Sequence, residues 1–347
     1  MSKDLPILVA ELSANHCGKL EKAKSLIKTA KRFGADAVKL QTYSADSMTL
    51  KSNKKYFRIN EGLWKGYNLW DLFNEGHTPY TWHKELFALA RKIKIKIFST
   101  PFDHDAVDFL EKLNCPIYKV ASFEMTDHPL IKKIASTQKP MIISTGMASL
   151  REIHETYNLA IKNGAKEITL LYCVSKYPAE NDDFSLNNIS ILKSEFGCKV
   201  GLSDHSKDIN VTRSAIALGA SVIEKHIALP NQKNGLDIKF SIKGKEIKDF
   251  KNAIIETHKL VNKDYYFRSK SEEKSKIHRR SIFASNTIRK GDKFSQKNIK
   301  CIRPSHGLDP SYYELILNKV SPRNYEIGEP LKPNILKRLN IKKKSKK

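Results

Sequence analysis

At 347 residues the chain is long enough for one large domain and a small second one. No run of 18 apolar residues occurs in it, which excludes a helical membrane span. Its net charge of +25 rests on 62 basic residues of which only 12 are Arg. A lysine surplus spread along the whole chain reads as solvated surface, whereas a nucleic-acid groove calls for clustered Arg and Lys interleaved with aromatics.

The segment Met1-Ser-Lys-Asp-Leu-Pro-Ile-Leu-Val-Ala10 is too short and interrupted for a signal peptide, and Ile7–Ala10 reads as a first strand. It runs into Glu11 and then Ala14-Asn15-His16. Leu20 to Phe33 carries Leu20, Ala23, Leu26, Ile27, Ala30 and Phe33 at helical spacing, with Gly34 as its stop. Ala37–Gln41 is the second strand, and period-two alternation puts Lys39 and Gln41 on one side. A lysine inside a buried strand is unusual unless it is paired or functional. The stretch from Tyr43 to about Thr78 then reads as a long insertion rich in aromatics, among them Tyr56, Trp64, Trp70 and Phe73. A loop of that length is a lid or a loop anchored by its own rings.

A helix over Trp82–Ile93 and six further strands follow, each ending in polar residues: Ile95–Phe98, Ile117–Val120, Met141–Ile143, Ile168–Tyr172, Val200–Leu202 and Ser221–Ile223. A helix over Lys245–Val261 ends the series. Gly164, Gly197 and Gly219 mark helix ends. Eight strand–helix units in about 260 residues predict an α/β fold, a (β/α)₈ TIM barrel. A doubly wound sheet is disfavoured because polar groups end all eight strands rather than one switch point. The expected divisions are a barrel over 1–265, a charged linker over 266–280, a compact β-rich module over 281–340 and a basic tail over 341–347. The module holds a weak repeat, Gly291-Asp-Lys-Phe294 with Asn298-Ile299 against Gly328-Glu-Pro-Leu331 with Asn334-Ile335.

Five cysteines, Cys17, Cys115, Cys173, Cys198 and Cys301, are scattered and form no C-x-x-C pair. Reduced thiols in a cytoplasmic protein are expected, with no zinc ribbon and no disulfide framework.

In a barrel, side chains at the carboxyl ends of the strands carry the chemistry. One histidine there is more often satisfied by backbone. Two in matching positions, His205 and His226, flanked by Asp204 and Glu224, favour a shared divalent ion. Lys39, Lys119, Thr100, Ser122, Ser144 and Ser203 form a donor set for a ligand bearing phosphate and carboxylate. Glu11, Glu124, Asp204, Glu224 and Asp237 supply acid–base capacity and outer partners for a metal. No Walker loop, G-x-G-x-x-G or G-x-S-x-G occurs, so neither a nucleotide cofactor nor an acyl-transfer triad is indicated.

Ala10-Glu-Leu-Ser-Ala-Asn-His16, Val38-Lys-Leu-Gln-Thr42, Phe98-Ser-Thr-Pro-Phe102, Tyr118-Lys-Val-Ala-Ser-Phe-Glu124, Ser144-Thr-Gly146, Gly201-Leu-Ser-Asp-His205, Glu224-Lys-His226 and Ile302-Arg303-Pro304 resemble the sialic acid synthase family. The resemblance runs from Pro6 to about Lys337, and the last module is similar to that family's antifreeze-like (SAF) domain. It implies condensation of phosphoenolpyruvate with the aldehyde of an open-chain amino sugar. It also implies Mn²⁺ or Mg²⁺ on His205 and His226, and Lys39, Thr100, Lys119, Ser122, Ser144 and Ser203 around phosphoenolpyruvate. Glu11, Gln41, Ser175, Tyr177 and Asp237 would face the sugar, with Glu124 and Glu224 in proton transfer or the metal's surroundings. Arg303 would arrive from the partner of a domain-swapped homodimer.

Ser-Ala-Asn-His16, Phe123 where a glycine is usual, Gly62-Leu-Trp64 and Arg303-Pro-Ser-His-Gly-Leu308 resemble the branch using a 2,4-diacetamido-2,4,6-trideoxyhexose. Val174 and Ala228-Leu-Pro230 depart from the family pattern at substrate contacts. The rivals are the same reaction on another amino sugar, a synthase of the shikimate or octulosonate type, and an inactive barrel that binds an anionic polymer. The second needs an added basic site for a sugar phosphate, which the sequence lacks.

Overall fold

The computed structural model describes residues 4–342, which divide into two compact units parting between Asp264 and Tyr265. The basic run beyond Lys342 lies outside the described residues.

The first unit is a closed barrel. Its strands are β1 (Ile7–Glu11), β2 (Ala37–Thr42), β3 (Lys96–Pro101), β4 (Tyr118–Val120), β5 (Met141–Ser144), β6 (Ile168–Cys173), β7 (Lys199–Asp204) and β8 (Val222–Ala228). They pair in parallel in sequence order, and β1 closes on β8 with Glu11 opposite His226. The strands are buried on both faces, as in β6 where every residue from Ile168 to Cys173 is buried. The outer ring is α1 (Leu20–Arg32), α2 (Tyr80–Lys92), α3 (His104–Lys112), α4 (His128–Ser136), α5 (Leu150–Lys162), α6 (Asn187–Phe196), α7 (Ile209–Ala217) and α8 (Lys245–Val261). Each lays an apolar stripe on the strands; in α1 it is Ala23, Leu26, Ile27 and Ala30. Capping sets the starts and stops: a Ser149–Glu152 capping box opens α5, and Gly197 at φ 60° ends α6. Among the described residues no helix is long and apolar enough to cross a membrane.

Three features differ from the sequence reading. The strands run past the first polar residue, so Ser203, Asp204, Glu224, Lys225 and His226 lie within β7 and β8. Inward-facing polar groups at a barrel mouth leave backbone pairing intact, so polarity is no strand terminator there. The insertion is folded, with helices at Ala45–Met48 and Leu69–Gly76 and a bridge between Arg58 and Asn68. The charged stretch after Asp264 holds a helix at Lys270–Lys274, capped by Ser269 on the Glu272 amide.

Among its described residues the second unit has two four-residue strands, β9 (Ser281–Ala284) and β10 (Ile299–Ile302), paired antiparallel. Isolated bridges such as Phe283 to Pro330 and Ile288 to Tyr325 extend them. Ile282, Phe294, Ile299, Ile316 and Leu331 form its own fully buried core.

Candidate active site

The carboxyl ends of the barrel strands open into a cavity of about 530 Å³. Twelve side chains expected at the site line it: Lys39, Gln41, Lys119, Ser122, Glu124, Ser144, Tyr177, Ser203, His205, Glu224, His226 and Asp237.

At its floor two lysines share one carboxylate. Lys39 Nζ lies 2.7 Å from Glu224 Oε1 and 2.9 Å from Glu11 Oε2. Lys119 Nζ donates to Ser144 Oγ at 2.7 Å and to the Val120 carbonyl at 2.9 Å, and stands 3.8 Å from Glu224. Burial works against the charge on Lys39, but Glu11 and Glu224 outweigh it and hold the pKa above the ordinary lysine value. Lys119 has weaker support, and burial brings it down to about 8. Burial also works against ionised Glu224, yet Lys119 and Lys39 prevail and keep it well below the usual carboxylate range. Burial pushes Glu124 up to about 7, and its Oε2 has no hydrogen-bond partner among the described residues.

The two histidines face each other above this floor, with ring centroids 5.4 Å apart and both rings against Phe240. His205 Nδ1 donates to the Val174 carbonyl at 2.9 Å, so in the neutral ring Nε2 is the nitrogen that carries the lone pair. His226 Nδ1 is buried without a hydrogen bond and stands 3.6 Å from Asp237 Oδ2. Two imidazoles with a carboxylate nearby fit a divalent ion. Among the described residues no group of three His, Cys, Asp or Glu side chains is placed to hold a metal ion, so His205 and His226 are the two donors an ion here would use.

Four other expected residues do not line this cavity. Glu11 is fully buried and does not line the cavity, because Lys39 and the Ser13 amide use its carboxylate one layer down. Thr100 is buried with Oγ1 unpartnered and stays out of the cavity lining. Ser175 lines a neighbouring cavity, behind Cys173. Arg303 belongs to the second unit, where it is exposed. Asp204 also stays out of the cavity lining: it faces outward from the barrel and pairs with Lys225.

The insertion read from the sequence as a lid or a self-anchored loop forms the roof of the cavity. Trp64, from the insertion, donates Nε1–H to the Leu236 carbonyl at 3.2 Å and packs on Tyr177 at 5.4 Å. Phe73 packs edge-on against Tyr43 at 6.0 Å, and both line the cavity with Met48, Leu69 and Leu72. The aromatic content of the insertion was the available signal. Phe123, 61% exposed, adds an apolar edge to the rim. At Gly146 a Cβ would come within 2.3 Å of Ser175 Oγ and 2.8 Å of Ser122 Oγ, so any side chain there would displace both hydroxyls.

Comparison with known proteins agrees with this architecture. The chain is 41% identical over 334 residues to the pseudaminic acid synthase of Helicobacter pylori, covering 96% of this chain and 98% of that one. It is 38% identical over 327 residues to the N,N'-diacetyllegionaminic acid synthase of Campylobacter jejuni, covering 93% and 98%. The crystal structure of the putative spore coat polysaccharide biosynthesis protein E from Chromobacterium violaceum superposes with a TM-score of 0.80 at 25% identity, covering 95% of this chain and 98% of that one. The SAF domain pattern matches residues 279–337 and the NeuB family pattern residues 26–265, so this chain belongs to the NeuB family.

Proposed function

We propose that this chain condenses phosphoenolpyruvate with open-chain 2,4-diacetamido-2,4,6-trideoxy-L-altrose, giving pseudaminic acid and phosphate. The observation that carries the reading is one cavity with two characters. Its floor presents two ammonium groups and hydroxyls to an anion, and its roof presents aliphatic and aromatic carbon to an acetylated, 6-deoxy sugar. The relatives named for this reaction match over nearly their whole length.

Lys39, Lys119, Ser144 and Ser203 hold the phosphate and carboxylate of phosphoenolpyruvate, and Ser122 and Thr100 support that cradle from its edges. Glu11 keeps Lys39 charged and aimed upward. Gln41, Tyr177 and Asp237 orient the sugar, with Ser175 behind them. A divalent ion, Mn²⁺ or Mg²⁺, held by His205 and His226, supplies Lewis-acid polarisation of the aldehyde oxygen when bound. Carbon three of phosphoenolpyruvate bonds to the aldehyde carbon, whose oxygen takes a proton from Glu124, held near neutrality by its burial. Water adds at carbon two and returns one proton to Glu124; as the C–O bond to phosphate breaks, the new hydroxyl gives its proton to the departing phosphate and leaves the keto acid. Glu224 stays ionised between the lysines, as a fixed charge that limits how far they repel each other.

The protein works in the cytoplasm as a homodimer in which Arg303 of each chain reaches the partner's sugar site. A planar, permanently charged guanidinium suits an amide-bearing sugar. Mixing Arg303→Ala with His205→Ala, after demonstrated subunit exchange, restores at most about half the parent activity per heterodimer, because one of its two sites is then intact. Exchanged mixtures that stay inactive sink the shared site.

The identity margin between the two kinds of relative is small, so the product decides. Mass spectrometry after incubation with phosphoenolpyruvate and each amino sugar separately is expected to give a product chiefly from the L-altro trideoxy sugar. Preferred turnover of N-acetylmannosamine, or of the D-manno trideoxy isomer that leads to legionaminate, overturns the assignment.

A further inference from the structure

Directly behind the two imidazoles, on the helix-facing side of the barrel wall, lies an ion pair that the chemistry above does not use. Asp204 on β7 and Lys225 on β8 are register partners, and neither side chain has any exposed surface. Their charged atoms are 3.1 Å apart. Period-two alternation turns both away from the cavity, while Ser203, His205, Glu224 and His226 on the same strand ends face it.

The bonds of this pair converge on one residue. Asp204 Oδ1 accepts the Ser206 amide at 2.8 Å, and Lys225 Nζ donates to the Ser206 carbonyl. Asp204 Oδ2 also accepts from Thr212 Oγ1 at 3.4 Å at the start of α7, and Lys225 Nζ sits 4.9 Å over the Phe250 ring of α8. Ser206 is thus held at both of its peptide groups, immediately after His205. The residue that holds its carbonyl immediately precedes His226.

Stability alone is a poor reason for such a pair. Removing two charges from water costs about as much as their attraction returns, and apolar replacements of similar volume are often neutral or better. The position of the pair supplies a different reason. Two strand ends that each carry one imidazole are cross-braced just outside the wall, so the spacing of the rings is set from behind. Side chains that orient ligands from beyond direct contact change metal affinity by about 10–100-fold when removed.

We propose that Asp204 and Lys225 are positioning residues for the two-histidine site, setting the separation of His205 and His226 without touching metal or substrate. This inference rests on the metal reading given above.

The test is the double variant Asp204→Asn/Lys225→Met, which removes both charges and nearly preserves volume. It is expected to fold, by circular dichroism and a single cooperative thermal transition. Its Mn²⁺ affinity, measured without turnover from loss of the free-ion electron paramagnetic resonance signal, is expected to fall about 10–100-fold. Phosphoenolpyruvate binding to the metal-free protein, followed by calorimetry, is expected to stay at the parent value, because the lysine floor is untouched. Parent Mn²⁺ affinity in the folded variant overturns the inference alone, and so does an equal loss of phosphoenolpyruvate binding. A double variant that does not fold makes the pair a folding requirement and overturns a separate positioning role. A parent protein that binds no Mn²⁺, or a His205→Ala variant that binds it undiminished, removes the metal reading and this inference with it.

Discussion

His226→Ala is expected to fold like the parent and to lose at least roughly a thousand-fold in turnover, at any Mn²⁺ concentration, because several kcal/mol of charge stabilisation leave with the ion. His226 is nearly buried at the cavity, and its imidazole makes no hydrogen bond among the described residues that the backbone would miss. The variant opens a small void beside Phe240 and leaves Asp237 without its neighbour at 3.6 Å. Neither change reaches the strand pairing of β8. Chelation of the parent should abolish turnover and added Mn²⁺ should restore it, while the variant stays inactive in excess metal. Full activity in His226→Ala, with parent-like circular dichroism, would sink the metal assignment.

Lys119→Met should raise the apparent constant for phosphoenolpyruvate by roughly thirty- to several-thousand-fold, since losing one buried cation opposite an anionic group costs about 2–5 kcal/mol. The constant for the sugar should barely move. Met nearly matches the length and volume of the lysine stem, so packing against β4 and β5 survives; what goes is the charge beside Ser144. The pH dependence follows from the same residue. With its pKa brought down by burial to about 8, Lys119 is charged below that pH and loses its proton above it. The parent's affinity for phosphoenolpyruvate should therefore fall as pH rises through about 8, and the Lys119→Met variant should show no such fall. Equal losses for both substrates would make Lys119 a structural residue.

Much of the site was legible because strand–helix alternation counts to eight and because the reactive residues sit at strand ends. The helix Lys245–Val261 coincides with its expected bounds. What misled was the use of polarity as a boundary. Ending β7 at Leu202 and β8 at Ile223 hides the alternation of the next residues, and with it the outward direction of Asp204 and Lys225. Glu11 is a related case. Its inward direction is readable, but its pairing with Lys39 depends on the register between β1 and β2. The helix Leu69–Gly76 was not legible, since it is held by Tyr43 and Leu236, far away in sequence. Trp64 is fixed by the carbonyl of Leu236, a partner that no local pattern announces. The short helix at Lys270–Lys274 did have a signature, Ser269 followed three residues later by Glu272, but the charge-rich composition hides it.

Lys39 is clasped by the first and the last strands of the barrel, and that has a consequence for how the protein is made. Its partner Glu224 is 185 residues further along the chain. A ribosome adding ~5–20 residues per second needs roughly ten to forty seconds to travel that distance. Throughout that interval the nascent barrel has β1 waiting for β8, with an open parallel edge able to pair with another chain. Translation speed between Lys39 and Glu224 therefore sets how long the half-made protein is exposed to misassembly, and substitutions that weaken β8 would show first in yield during synthesis.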